Sequence, residues 1–140
     1  MRVCGIEIKG SEAILCMMEL TDGLVSLPDC RQVRFALSND QDAEQIRKFQ
    51  FGLAKLAEDY KIERFVIRER PQKGKFAGGA VGFKIEAAIQ LITQIDTVIC
   101  TNAAIKDKLS RFPLPVDFKS TGLKVFQEAA FTTAYAYLIH

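Results

Sequence analysis

The sequence predicts a single α/β domain, residues 1–140, with a five-stranded mixed sheet and helices packed against it. Three short apolar, strand-like stretches open the chain, and helix-like and strand-like stretches then alternate. The size agrees with this fold class, because 140 residues with 49% apolar side chains can bury one full hydrophobic core.

The first three strands are expected to form an antiparallel meander. Residues 2–8 and 13–20 are apolar runs separated by a short Lys-Gly-Ser turn, which predicts a hairpin. Residues 33–37 alternate apolar and polar side chains after a turn-rich stretch around Pro28, which predicts a third strand.

Helices and strands alternate in the rest of the chain. Between residues 41 and 60 apolar side chains recur at three- and four-residue steps, which predicts an amphipathic helix. A helix that connects two strands in this way forms a right-handed crossover between parallel strands. The further predicted elements are, in order, a strand at 62–69, a loop at 70–79, a helix ending near 92, a strand at 96–100, a short helix through 111 and a last helix from about 122 to 139.

Composition narrows the chemistry that the chain can perform. The only histidine is His140, and the four cysteines lack the close pairing of zinc or redox sites, so any metal would be held by oxygen ligands. We expect the thiols of the four cysteines to be free and buried.

The apolar run at 129–139 is too short to cross a bilayer, and no signal-peptide pattern opens the sequence, so we expect a cytoplasmic protein with no membrane partner.

The net charge of +2 conceals an uneven distribution. Residues 1–60 carry 7 basic and 10 acidic side chains, whereas residues 61–140 carry 12 basic and 7 acidic ones. Much of the positive excess lies at 68–75 and 106–124, which predicts a surface that faces phosphate groups. The alternative is that these are ordinary solvated loops and helix faces.

Three isolated glutamates occupy apolar surroundings or strand ends. Glu7 and Glu69 end two predicted strands, and Glu128 is the only charged side chain between Val125 and Ile139. Isolated carboxylates in such settings need compensating partners, and a hard divalent ion with oxygen ligands is one such partner. If the fold brings the three together, they predict a metal-dependent phosphodiester site.

The element order and three local motifs resemble the ribonuclease H-like superfamily, in particular RuvC-type Holliday junction resolvases and YqgF-type nucleases. Residues 5–11 (GIEIKGS) are similar to their first-strand motif, in which an aspartate follows a glycine and an apolar residue. Residues 66–69 (VIRE) resemble their fourth strand, which ends in a catalytic glutamate. Residues 127–130 (QEAA) resemble the start of their last helix, which carries a further acidic ligand.

The resemblance implies a hydrolase that cleaves structured nucleic acid, a DNA junction or RNA, with Mg²⁺ or Mn²⁺. It implies that Glu7, Glu69 and Glu128 are both catalytic residues and metal ligands, and that the protein forms a homodimer. Basic residues near these strand ends are expected to contact the nucleic acid: Lys9, Arg68, Arg70, Lys73 and Lys75. Phe76, in the glycine-rich segment that follows, is a candidate for stacking on a base.

Alternatives remain open at this point. The family pattern has an aspartate where Glu7 stands and a second acid where Phe131 stands, so a catalytically inactive domain that serves as a binding or assembly module is the second hypothesis. A nucleotide-binding relative of sugar kinases and actin is the third. Individually, Glu7 could be a solvated residue at the end of the hairpin, Glu69 could pair with neighbouring basic side chains on the surface, and Glu128 could interact with its helix dipole.

Overall fold

The computed structural model describes residues 1–73 and 79–140. Six strands and four α-helices are present in these ranges, together with two short 3₁₀ helices at Phe118–Thr121 and Val125–Gln127. The strands are β1 (Arg2–Lys9), β2 (Glu12–Thr21), β3 (Leu24–Ser26), β4 (Arg34–Ala36), β5 (Arg64–Arg68) and β6 (Asp96–Cys100). The α-helices are α1 (Ala43–Tyr60), α2 (Ala80–Gln90), α3 (Asn102–Arg111) and α4 (Glu128–Leu138).

All six strands belong to one mixed sheet. Its order is β3-β2-β1-β5-β6, and β4 pairs with β2 as well. The strands β1, β2, β3 and β4 pair in antiparallel fashion, whereas β5 pairs in parallel with both β1 and β6. The predicted mixed sheet and the parallel arrangement after the crossover helix are therefore confirmed.

The predicted number of strands, five, is wrong by one. The additional strand is β3, which has only three residues and follows a tight turn at Asp22 and Gly23, both with positive φ. Its short length leaves no alternating apolar pattern that sequence analysis could detect. The strand expected at 33–37 is also shorter in the structure, at Arg34–Ala36.

The sheet separates two hydrophobic clusters. One lies between the sheet and the helices α1 and α2, and the other lies between the sheet and the helices α3 and α4. Adjacent residues of β1 alternate between them, because Cys4 and Ile6 belong to the first cluster and Val3 belongs to the second. Gly5 lies on the same face as Val3 and allows α4 to approach the sheet closely. This alternation determines which way each functional side chain of β1 points.

The helix α1 has clear local signals at both ends. The side chain of Asp42 accepts a hydrogen bond from the backbone N–H of Glu44 at 2.9 Å, which caps the first turn. Lys61 ends the helix in the left-handed conformation. Phe49, Leu53 and Leu56 face the sheet, and full burial of each such side chain stabilises the fold by roughly 1.5–3 kcal/mol.

The last helix begins later than the sequence predicts. It was expected from about residue 122, but Gly122 has a φ of 78° and ends the first 3₁₀ helix, so α4 begins only at Glu128. The late start places Glu128 in the first turn of α4. None of the helices in the described part of the chain combines the length and the apolar character needed to cross a bilayer.

Candidate nucleic-acid interface at the carboxyl ends of β1 and β5

A cleft of about 460 Å³ opens where β1 and β5 end. The two strands are parallel neighbours, so their carboxyl ends meet at one edge of the sheet, which is the usual ligand site of open α/β folds. Among the described residues, three cations and two carboxylates line this cleft, together with the first residue of α3. The lining residues are Glu7, Ile8, Lys9, Gly10, Arg68, Glu69, Arg70, Pro71, Gly79 and Asn102.

The register between β1 and β5, continued by one residue beyond its last recorded pair, aligns Glu7 with Arg68 rather than with Glu69. In the parallel ladder Gly5 pairs with Val66 and Ile6 pairs with Ile67, so the next step of the same register aligns Glu7 with Arg68. Neighbouring strands are about 4.8 Å apart, and aligned residues point to the same face. Glu7 and Arg68 therefore project together toward α4, and both are partly buried.

The guanidinium of Arg68 is held by two helices. Its Nε donates to Oδ1 of Asn102, at the start of α3, over 3.1 Å. Its Nη1 donates to Oγ1 of Thr132 over 3.1 Å and, at 3.5 Å, to the carbonyl oxygen of Ala129, both in α4. These contacts fix a positive charge between the end of β5 and the helices α3 and α4.

Glu69 follows the end of β5, and its side chain accepts a hydrogen bond from the start of α3. Its backbone N–H donates to the carbonyl oxygen of Cys100, which continues the ladder with β6. Its Oε1 accepts a hydrogen bond of 2.9 Å from the backbone N–H of Asn102. A carboxylate in this position satisfies a free N–H of the first helical turn and interacts favourably with the helix dipole. The alternative interpretation, in which Glu69 pairs with neighbouring basic side chains, is not supported by any ion pair among the described residues.

Arg70 crosses from the end of β5 to the start of α2. Its Nη1 donates to the carbonyl oxygen of Gly79 at 3.3 Å, and its guanidinium lies 5.0 Å from the ring centroid of Phe83. It passes over Gly82, where a Cβ would lie only 1.6 Å from Nη1 of Arg70. Burial raises the pKa of the nearby Glu86 carboxyl, and the positive charge of Arg70 acts in the opposite direction. Arg70 thus joins the two segments that flank residues 74–78.

The structure does not bring the three predicted glutamates into one metal-binding group. Glu7 and Glu69 line the cleft, but Glu128 is exposed at the first residue of α4 and is not among the lining residues. Within residues 1–73 and 79–140, no three side chains of the Asp, Glu, His and Cys types are grouped so that they could hold a metal ion. The donor set therefore does not fit the metal centre that the resemblance implies, and the catalytic roles of Glu7, Glu69 and Glu128 stay predictions.

Three of the five predicted nucleic-acid-binding residues lie together in the cleft. Lys9, Arg68 and Arg70 all line the cleft, so the charged side chains that line it among residues 1–73 and 79–140 carry one net positive charge. Lys73 lines an adjacent cleft of about 400 Å³, together with Arg70 and Glu86. Lys75, like Phe76, lies outside the described residues.

Sequence analysis missed Asn102 and Thr132. Asn102 was recognised only as part of a helix cap, and nothing marked Thr132. A signal for Asn102 did exist, because it follows β6, the strand that neighbours β5, and therefore has to lie at the same edge of the sheet. Thr132 gave no such signal, since its contact depends on how α4 crosses the sheet.

Comparisons with known proteins agree with the predicted fold. The chain is similar to Thermus thermophilus RuvC with a TM-score of 0.71 and 10% identity, over 97% of this chain and 92% of that chain. It is similar to T. thermophilus RuvC in complex with a Holliday junction substrate with a TM-score of 0.66 and 14% identity, over 97% and 90% of the two chains. No curated protein matches the sequence. At these identities the similarity shows the fold alone.

A family model matches almost the whole sequence. It matches residues 1–137 and is described as "Protein of unknown function (DUF3010)". The match extends from β1 through almost all of α4, so it includes every element that forms the cleft. The chain therefore belongs to the DUF3010 family and has the ribonuclease H-like fold that it shares with RuvC.

Proposed function

We propose that this protein binds structured nucleic acid through the cleft at the carboxyl ends of β1 and β5. The observation that carries the proposal is the convergence of Lys9, Arg68 and Arg70 on that cleft, where the described residues contribute two carboxylates. Lysine and arginine contacts to backbone phosphates supply most of the affinity of such proteins. Lys73 extends the positive surface into the neighbouring cleft.

A four-way DNA junction is the first substrate to test. A structure with the same fold is described as a complex with a Holliday junction substrate, which motivates this choice. Duplex DNA, an RNA/DNA hybrid and single strands complete the set, because phosphate contacts alone do not distinguish among them. The measurement is fluorescence anisotropy at several salt concentrations.

The variant that tests the interface removes one exposed and one half-buried cation of the cleft, Lys9→Gln with Arg70→Gln. The matched control, Lys48→Gln with Lys55→Gln, removes the same charge from exposed positions of α1. We expect the cleft variant to bind more weakly and its log–log salt dependence to become less steep by about 0.7–0.9 for each phosphate that it no longer neutralises. Equal affinities for the cleft variant and the control variant would contradict the proposed interface.

A metal-dependent nuclease is a second candidate, favoured by the presence of Glu7 and Glu69 in one cleft. In this function Mg²⁺ or Mn²⁺ would be the cofactor, and it would activate water for attack on a phosphodiester. Cleavage of the same substrates with Mn²⁺, abolished by Glu7→Gln, would establish it. Tight binding without cleavage in Mn²⁺ would favour the binding module instead.

A further inference from the structure

Arg68 is the feature of the cleft that disagrees with a metal site formed by Glu7, Glu69 and Glu128. The register that pairs Ile6 with Ile67, continued by one residue, aligns this arginine with Glu7 on the adjacent parallel strand and on the same face of the sheet. A carboxylate at this position would repel Glu7 and would call for a bound cation. The guanidinium instead supplies a positive charge of its own.

This charge is also fixed in position. The bonds from Nε to Asn102 and from Nη1 to Thr132 and Ala129 hold the guanidinium against two helices. Among the described residues these bonds leave Nη2 free to donate to a further group. A guanidinium that is oriented in advance loses little side-chain entropy when it binds a phosphate.

The surrounding charges disfavour a divalent ion at the same place. An ion between Glu7 and Glu69 would lie in a cleft that Arg68, Arg70 and Lys9 also line. The positive charges of these side chains would repel the ion, and the repulsion is stronger where the side chains are partly buried. In addition, one oxygen of Glu69 is already committed to the backbone N–H of Asn102.

We infer, on the basis of the proposed function, that Arg68 takes the place of a divalent cation in this cleft, so that the protein binds phosphodiester groups without a metal ion. Glu7 then offsets part of the positive charge in the cleft rather than coordinating a metal, while the helices α3 and α4 orient the arginine. Mg²⁺ and Mn²⁺ compete with the protein for the phosphates as ordinary salt does.

The test compares nucleic-acid binding in EDTA, Mg²⁺ and Mn²⁺ at constant ionic strength, using the four-way junction and the duplex. We expect wild-type affinity to agree within about twofold among the three conditions and Arg68→Gln to lose about tenfold or more in each of them. Arg68→Glu places a second carboxylate beside Glu7, so we expect it to bind poorly in EDTA and to recover affinity with Mn²⁺. Wild-type binding that is at least about tenfold tighter with a divalent ion would overturn the inference and leave the proposed function standing.

A second measurement does not depend on how the variants fold. Free Mn²⁺ gives an electron paramagnetic resonance signal that disappears when the ion is bound, so titration of wild-type protein reports metal binding directly. We expect no saturable loss of signal below about 1 mM Mn²⁺. Saturable binding below that concentration would contradict the inference. If wild-type protein binds no nucleic acid in any condition, the proposed function fails. The Mn²⁺ titration then still tests whether the cleft holds a divalent ion.

Discussion

A Cβ on Gly5 would lie 2.2 Å from the carbonyl oxygen of Ala130. The backbone of α4 therefore rests directly on β1, with no side chain between them. The same face of β1 carries Glu7 two residues later, so this contact also sets the distance between Glu7 and the start of α4. A residue larger than glycine at position 5 would push the helix away from the sheet.

We predict that Gly5→Ala destabilises the protein by roughly 3 kcal/mol, because the new methyl group overlaps backbone atoms that cannot rotate away. Urea unfolding followed by circular dichroism measures this destabilisation. Gly52→Ala is the matched control, since its nearest contact is the ring of Phe35 at 3.3 Å and it lies inside α1, where alanine is favoured by up to about 1 kcal/mol. Comparable destabilisation in both variants would argue against the close approach of α4.

The capping role of Glu69 can be tested by its effect on stability. Its carboxylate accepts a hydrogen bond from the first residue of α3, so we predict that Glu69→Ala lowers the free energy of unfolding by about 1 kcal/mol. Glu69→Gln keeps an acceptor oxygen and should be less destabilised. Chemical denaturation of both variants gives these values, and a stability equal to wild type for Glu69→Ala would disprove the capping role.

Two of the four cysteines, Cys4 and Cys16, should resist alkylation in the folded protein. Cys4 and Cys16 are buried free thiols, as expected from the sequence, whereas Cys30 and Cys100 are half-buried. Burial raises the pKa of Cys16 to about 12, and the pKa of the Cys4 thiol is also raised, chiefly by burial. Because the thiolate is the reactive form, we predict that iodoacetamide at about pH 8 leaves Cys4 and Cys16 unmodified.

Peptide mapping by mass spectrometry identifies the modified positions. In urea all four cysteines should react, which provides the control for reagent activity. Rapid modification of Cys16 in the native protein, at a rate close to that in urea, would mean that β2 is not packed as described.

Glu86 should make stability depend on pH. Burial raises the pKa of its carboxyl above the usual value, so its contribution to folding is present below the unfolded pKa and is lost as the pH rises through the folded pKa. We predict that Glu86→Gln gains stability relative to wild type between about pH 4 and about pH 7. Glu58→Gln, an exposed carboxylate of α1, controls for the general effect of removing a charge.

Denaturant unfolding at the two pH values provides this comparison. A relative stability of Glu86→Gln that falls as the pH rises would show that Arg70 outweighs burial at this position, since the two act in opposite directions on the same carboxyl group.

The periodic segments were predictable from the sequence. The strand at 96–100 and the end of the short helix at Arg111 agree with the structure residue for residue, and the helix predicted at 41–60 is present at Ala43–Tyr60. These elements have strong local signals, in the form of apolar spacing and capping residues. Strand β3 has neither, and it exists because β2 offers it a partner.

The geometry of the site was not predictable in the same way. Sequence analysis treated Glu7 and Glu69 as the matching ends of two neighbouring strands, whereas the register that pairs Ile6 with Ile67 aligns Glu7 with Arg68 when it is continued by one residue. Because side chains alternate, a shift of one residue in register exchanges the two faces of the sheet. The parallel register that aligns Ile6 with Ile67 depends on packing over the whole sheet, and it places a guanidinium where a carboxylate was expected.

The outer edge of β2 is divided between two partners. Strand β3 pairs with Glu19–Thr21, strand β4 pairs with Glu12–Ile14, and the backbone N–H of Leu15 donates to the carbonyl oxygen of Val33 at 2.8 Å. The longest strand of the sheet is thereby covered near both ends by strands of three residues. A second molecule finds no long row of free backbone groups along β2, so this side of the sheet is protected against edge-to-edge aggregation.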